Sequence, residues 1–100
     1  IKDSVGDSFV ARHDAPSIFA GHYDPSFSLE LCVKDLRLCK ELAERGNVPI
    51  PIGAKVAERF ALAAETYGGS EAELKVAKLI EDEVGEDLRL EGDWPLHWEA

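Results

Sequence analysis

The sequence has 100 residues, of which 45% are hydrophobic and 31% are charged; this balance is typical of one soluble globular domain and excludes a disordered chain. The net charge of −9, from 20 acidic and 11 basic residues, argues against nucleic acid or an anionic membrane as partner, because phosphate groups would repel the domain. No apolar stretch reaches the length of a membrane span, and we expect a cytoplasmic protein.

The N-terminal quarter, residues 1–25, is the least regular part of the sequence because glycine and proline interrupt any long periodicity. We predict short helical turns at about 3–12 and 16–20, separated by connectors at 13–16 and 21–25. The start is polar, has no Met and does not resemble a signal peptide, which suggests an internal part of a longer protein.

A first long helix is predicted at about 26–45. Its apolar face has spacings of four, three and four residues and is widened by leucines: Cys32, Leu36, Cys39 and Ala43, with Leu31, Leu38 and Leu42. Either Ser26 or Ser28 can cap its beginning, with Glu30 at the positive end of the helix dipole. Arg45 suits the last turn, and Gly46 suits a left-handed residue that ends the helix.

Two further helices are predicted at about 52–67 and 71–84. Prolines in the segment 47–51 prevent the first helix from continuing. Gly68 and Gly69 end the second helix, the pattern from Ser70 to Glu73 has the form of a capping box, and Gly85 ends the third helix. The expected buried faces are Val56, Phe60, Ala63, Ala64 and Tyr67 in the second helix, and Leu74, Ala77, Ile80 and Val84 in the third.

The C-terminal tail, 86–100, holds Trp94 and Trp98 on either side of Pro95, and we expect it to form a strap that packs an aromatic ring onto the bundle. No segment alternates with the period of two that a strand requires. The sequence therefore predicts an all-α fold, a compact bundle of three main helices with short N-terminal helical turns, and one domain over residues 1–100.

The side chains alone give no catalytic pattern. Cys32 and Cys39 lie about 10 Å apart along one helix, too far for a disulfide, and we expect both to be reduced and buried. The three histidines share no ligand spacing, so no metal site is expected: His13, His22 and His97. No glycine-rich phosphate loop is present. On geometry alone, Lys34 is a solvated lysine paired with Glu30 one turn earlier.

One stretch nevertheless resembles a known family. FSLELCVKDL, from Phe27 to Leu36, looks like the F-x(6)-K-D-L signature of the β-hydroxyacid dehydrogenases (the 3-hydroxyisobutyrate dehydrogenase family). A Pro-x-Pro connector at 49–51 and an alanine-rich helix follow at the family's spacing. SVGDSF, at residues 4–9, resembles the family's S-x-G-x-S/N-W segment. The resemblance covers about 4–75.

This resemblance implies the helical C-terminal domain of a two-domain oxidoreductase, with a fold like that of the 6-phosphogluconate dehydrogenase C-terminal domain. Its cofactor, NAD or NADP, would be bound mainly by an N-terminal Rossmann domain absent from this chain. The resemblance implies that Lys34 corresponds to the family's KDL lysine, which reaches the cofactor. It also implies that Phe27 forms an apolar wall beside the nicotinamide. Asp35 and Phe9 carry over to the substrate pocket, for a small hydroxyacid. The resemblance also implies a homo-oligomer, as in a dimer.

The chain departs from the family in ways that bear on activity. The family's catalytic lysine and its G-x-x-x-K-x-x-N pattern lie upstream of anything in this sequence, so we expect no catalytic residue here and a chain that is inert alone. Phe9 stands where relatives have tryptophan, and Glu73 where they have aspartate. Two alternatives remain open at this point: an acidic helical adaptor that binds a partner without a cofactor, and a reader or scaffold protein that kept the fold and lost the chemistry.

Overall fold

A computed structural model describes residues 4–94 of the chain. The elements in chain order are α1 (Phe9–Ala20), α2 (Leu29–Arg45), α3 (Pro51–Tyr67), a 3₁₀ turn (Glu73–Lys75) and α4 (Val76–Val84). The described residues contain no strand; an isolated antiparallel bridge joins Ser28 and Ala72. The predicted all-α fold is confirmed.

The N-terminal prediction of short turns and a connector at 13–16 is wrong, because α1 is continuous through Pro16. Ser8 caps the helix, since its Oγ accepts a hydrogen bond of 3.0 Å from the N–H of Ala11. Pro16 has no N–H to donate within the helix. The helix nevertheless continues for four more residues, and its last turn is closed by the N–H of Gly21, which donates to the carbonyls of Ser17 and Ile18. The helix therefore tolerates Pro16 in its interior.

The core of the bundle lies among α2, α3 and α4. Its central side chains are Leu29, Ala63 and Leu79, exposed by 0%, 0% and 5%. Partly buried apolar side chains surround them: Phe60, Ala64, Tyr67 and Val76. Burial of such side chains is the main driving force for this part of the fold.

The predicted beginning of the first long helix is confirmed at one of its two candidate serines, whereas the predicted conformation at its end is wrong. Ser28, rather than Ser26, is the N-cap of α2: its Oγ accepts a hydrogen bond of 3.3 Å from the N–H of Leu31. Gly46 was expected to be left-handed, but its φ is −87°, and Asn47 takes that conformation with a φ of 54°. Asparagine is among the few residues other than glycine that adopt it readily.

The predicted apolar face of α2 is only partly buried. Cys32, Leu36 and Ala43 are half-buried, whereas Leu38 and Leu42 are 50% and 72% exposed. The expectation that both cysteines are buried is wrong: both are free, Cys32 is half-buried and Cys39 is exposed. The reason is that α2 packs mainly against α3, while no described helix covers its other side.

The third predicted helix begins later than expected. The capping box is not formed, because the N–H of Glu73 donates to the carbonyl of Phe27 at 2.8 Å, and the α-helix begins only at Val76. The expected face is only partly correct, since Leu74 and Ala77 are half-buried but Ile80 and Val84 are exposed. Leu79 and the carboxylate residue Glu81 are buried instead.

The tail behaves partly as predicted. Trp94 packs its ring against Phe19 of α1, with ring centroids 5.2 Å apart, and its Nε1 donates to the carbonyl of Leu90 at 2.9 Å. Trp98 and His97 lie outside the described residues. Within the described part, the tail therefore connects back to the N-terminal helix.

Candidate functional site at the beginning of helix α2

The beginning of α2 is held by the loop that follows α3. The N–H groups of Leu29 and Glu30 donate to the carbonyls of Glu71 and Gly69, both at 2.8 Å. The first N–H groups of a helix have no partner inside it, so this loop satisfies donors that would otherwise need water. The backbone at the start of α2 is consequently fixed, and so is the position of Lys34 in its second turn.

Lys34 and Asp35 present a polar pair to solvent. Their side chains are 51% and 58% exposed, and Lys34 Nζ lies 3.6 Å from Asp35 Oδ1. The predicted pair with Glu30 is not formed; the Glu30 side chain lies against Gly69. An exposed ion pair contributes little to stability. The ammonium group can therefore exchange Asp35 for the phosphate, carboxylate or hydroxyl of a ligand at small cost.

The two aromatic candidates occupy different elements. Phe27 directly precedes the N-cap of α2 and is half-buried, and its carbonyl is tied to Glu73. Phe9 is the first residue of α1 and is 71% exposed, with its ring stacked on His13 at a centroid distance of 4.0 Å. The fold therefore groups Phe27, Lys34 and Asp35 near the start of one helix, and the described contacts do not connect Phe9 to them.

A thiol–carboxylate pair next to this group was not predicted. Burial, and next the charge of Glu73 beside the thiol, raise the pKa of Cys32 to about 11. Burial, and next the nearby charge of Asp14, also raise the pKa of Glu73. The thiol is therefore protonated at neutral pH and is not a nucleophile. The capping-box expectation for Glu73 concealed this contact.

A buried polar network, formed by Tyr23, Glu81 and Arg89, was also missed. The Tyr23 hydroxyl donates to Glu81 Oε1 at 2.7 Å, and Arg89 Nη2 donates to Glu81 Oε2 at 3.0 Å and to the Tyr23 hydroxyl. The Arg89 guanidinium also lies 5.0 Å from the centre of the Tyr23 ring. The three residues are 58 and 8 positions apart along the chain, and no periodic pattern links such distant polar residues.

The residues present do not make a whole dinucleotide site. The sequence has no glycine-rich phosphate loop, and the part of the chain that the structure describes has no strand to which such a loop could be attached. Lys34, by contrast, is an accessible cation on a fixed helix turn. In residues 4–94 no group of three potential metal ligands lies together, and no helix there is both long and apolar enough to cross a membrane.

Comparison with known proteins gives an independent result. A family profile described as "NAD-binding of NADP-dependent 3-hydroxyisobutyrate dehydrogenase" matches residues 1–80. L-threonate dehydrogenase of Cupriavidus necator is 29% identical over 80 residues, which are 80% of this chain and 27% of that enzyme. The chain thus spans about a quarter of the length of this relative. No solved structure showed significant similarity.

The family profile covers most of the chain, including every predicted site residue. NAD(P) is accordingly the cofactor of the group to which this sequence is related. The chain belongs to the NAD-binding family of the NADP-dependent 3-hydroxyisobutyrate dehydrogenases.

Proposed function

We propose that this chain is the helical C-terminal domain of an NAD(P)-dependent oxidoreductase that acts on a small β-hydroxyacid. The observation that carries the proposal is an accessible lysine, Lys34, held on a fixed helix turn within the matched region. An ammonium group in that position is suited to an anionic or hydroxyl group of the cofactor or substrate. Phe27 forms an apolar wall beside the nicotinamide. Asp35 and Phe9 belong to the substrate side of the cleft, which lies between this domain and the Rossmann domain.

The helical fold supports a cofactor site that is shared between this domain and a Rossmann domain. A chain that matches an NAD-binding profile but has no phosphate loop in its sequence can complete a cofactor site only from one side. A Rossmann domain elsewhere in the longer protein holds most of the dinucleotide, and hydride transfer belongs to the cofactor. The chain alone is inert, because it has no counterpart of the catalytic lysine that the family resemblance implies.

The exposed apolar side chains support a partner. Leu38 and Leu42 of α2 and Ile52 of α3 are exposed by 50%, 72% and 81%. Exposed apolar surface is typical of a face that another domain or subunit covers. We assign these exposed side chains to the inter-domain and inter-subunit contacts of a cytoplasmic homo-oligomer, such as a dimer.

The experiment is a turnover screen of the full-length protein with NADH and NADPH and a panel of small β-aldehyde acids, with Lys34→Ala beside the wild type. Loss of one charge-assisted hydrogen bond costs about 1.5–3 kcal/mol, so kcat/KM should fall by about tenfold to a hundredfold. Lys40→Ala, an exposed lysine on the same helix, is the matched control and should behave like the wild type.

The outcomes separate the alternatives. Equal turnover in Lys34→Ala and Lys40→Ala would keep the enzyme and remove Lys34 from the cofactor site. A wild-type protein that neither turns over nor binds either cofactor would contradict the proposal and favour the acidic adaptor. Circular dichroism of each variant establishes that the helices are intact.

A further inference from the structure

The attachment of α1 to the rest of the molecule differs from that of the other helices. The extensive helix–helix packing in the described chain involves α2, α3, α4 and the 3₁₀ turn, and α1 takes little part in it. Several contacts hold α1 at its last turn. Arg89 Nη1 donates to the carbonyl of Ile18 at 2.5 Å, and the N–H of Leu90 donates to the carbonyl of Phe19 at 3.2 Å. Trp94 also packs on the Phe19 ring.

Arg89 connects this last turn to α4. Its guanidinium bonds Ile18 on one side and the Glu81 carboxylate on the other, and the Glu81 side chain is only 5% exposed. A buried carboxylate requires a charged or hydrogen-bonding partner, and Arg89 and Tyr23 supply both. Five donors in a rigid planar fork allow one arginine to bond several groups at once, which a lysine cannot reproduce.

The backbone around α1 is shaped to admit this arginine. Gly21 has a φ of 90°, and a Cβ atom there would lie 2.8 Å from Arg89 Nε. Tyr23 has a φ of 58°, which bulky residues rarely adopt, and the residue is 4% exposed. A strained backbone persists only where its surroundings determine it, and here the surroundings are Glu81 and Arg89.

The match to the family ends at residue 80, directly before Glu81. Two members of the network, Glu81 and Arg89, and the ring of Trp94 therefore lie in a segment that the family profile does not describe. The residues to which they attach, Ile18, Phe19 and Tyr23, lie within the matched region. A segment beyond the matched region thus holds a helix that lies within the matched region.

We propose that residues 81–94 clamp α1 onto the bundle and that Arg89 is a positioning residue for the substrate side of the cleft. The connection to the substrate is Phe9 at the other end of α1, so this part of the proposal rests on the proposed function. Release of the clamp would let α1 move and would change the shape of the pocket that Phe9 lines. Displacements of about an ångström at a substrate-positioning group cost up to a hundredfold in rate.

The first test is hydrogen exchange of the full-length protein with Arg89→Ala. Amides of α1 should exchange at least about tenfold faster than in the wild type, while those of α3 and α4 keep their protection. Arg37→Ala on the exposed side of α2 is the matched control and should leave α1 unchanged. Unchanged exchange in α1 of Arg89→Ala would overturn the clamp.

Arg89→Ala leaves the buried Glu81 carboxylate without its cation, and the variant could unfold for that reason alone. The double variant Glu81→Gln with Arg89→Met removes both charges and keeps the volume. It should retain a folded α3–α4 core and still show fast exchange in α1. A double variant with wild-type protection in α1 would also overturn the clamp.

The second test separates positioning from stability. In Arg89→Ala, KM for the hydroxyacid should rise about tenfold while KM for the cofactor stays within about twofold, and low-millimolar guanidinium should restore the substrate KM. Sodium at the same ionic strength is the control and should not. Equal loss for cofactor and substrate, or no rescue, would contradict the positioning role. A wild type without turnover would refute the proposed function and with it the positioning role, while hydrogen exchange still decides the clamp.

Discussion

Two regions of this small domain are held by different forces. In the α2–α4 bundle, apolar side chains such as Leu29 and Leu79 interlock in a core. Around α1, a network of Tyr23, Glu81 and Arg89 joins distant parts of the chain. Apolar burial is non-directional and tolerates change of volume better than change of polarity. A buried polar network depends on each of its members, since loss of one leaves the others without partners.

The largest effect is expected in the apolar region. Leu29 is fully buried, so Leu29→Ala should lower the free energy of unfolding by about 2–5 kcal/mol, through lost burial and the cavity left behind. Leu42→Ala, at a position that is 72% exposed, should change it by about 0.5 kcal/mol or less. Urea unfolding followed by circular dichroism measures both. Equal effects of the two substitutions would contradict the assigned core.

A smaller effect is expected in the polar region. Tyr23→Phe removes the hydroxyl that donates to the buried Glu81 carboxylate, and should destabilise the fold by about 1–3 kcal/mol. Tyr67→Phe is the matched control, because the Tyr67 hydroxyl donates to the exposed carboxylate of Asp82. Its effect should be below about 1 kcal/mol. If urea unfolding ranks Tyr67→Phe as the more damaging change, the buried network does not make the contribution to stability assigned to it.

The helix cap distinguishes two serines that the sequence left as equal candidates. Ser28→Ala should cost about 1 kcal/mol because the N–H of Leu31 loses its acceptor. Ser26→Ala should be near neutral, since Ser26 lies outside the cap of α2. Thermal unfolding of the pair provides the comparison, and a larger loss for Ser26→Ala would place the cap at the other serine.

The smallest effect concerns the thiols. Because burial and Glu73 raise the pKa of Cys32 to about 11, its thiol should hold about a hundredfold less thiolate at pH 8 than an ordinary one. Iodoacetamide should therefore label the exposed Cys39 first, as read by mass spectrometry, and label both alike in urea. Preferential labelling of Cys32 in the folded protein would contradict its burial.

The same shift predicts a pH dependence of stability. The folded state keeps the Cys32 proton longer than the unfolded state does, so its contribution is fully present below the ordinary thiol pKa. It is lost as the pH rises through about 11. Cys32→Ala should flatten this alkaline decline in the free energy of unfolding, whereas Cys39→Ala should leave it unchanged. An identical decline in both variants would assign it to other groups.

The sequence predicts the apolar bundle better than the polar network around α1. Periodic apolar residues located α2 and α3 to within about three residues, and Gly68 and Gly85 marked helix ends correctly. The buried face of α4 could not be predicted, because Glu81 is buried through partners that lie outside the helix. Likewise, Pro16 suggested a break in α1, but the helix continues through it. Local sequence patterns predict apolar packing and helix caps, whereas polar networks form between residues that only the assembled fold brings together.

For the candidate site, the sequence motif placed Lys34 and Asp35 on α2, and the fold adds the fixed helix beginning that positions them. Their roles toward the cofactor and substrate, like those of Phe27 and Phe9, stay predictions. The proximity of Cys32 and Glu73 beside them was not predicted, because Cys32 was assigned to the apolar face of α2 and Glu73 to a capping box.

The most direct measurement is the equilibrium affinity of the full-length protein for NADH and NADPH, titrated by cofactor fluorescence, with Lys34→Ala and Lys40→Ala in parallel. If Lys34 completes the cofactor site, its substitution should weaken the Kd of the preferred cofactor by about tenfold or more, and Lys40→Ala should match the wild type. Binding by the wild type that neither substitution changes would contradict the role assigned to Lys34. Absence of binding by the folded wild-type protein would contradict the dehydrogenase proposal itself.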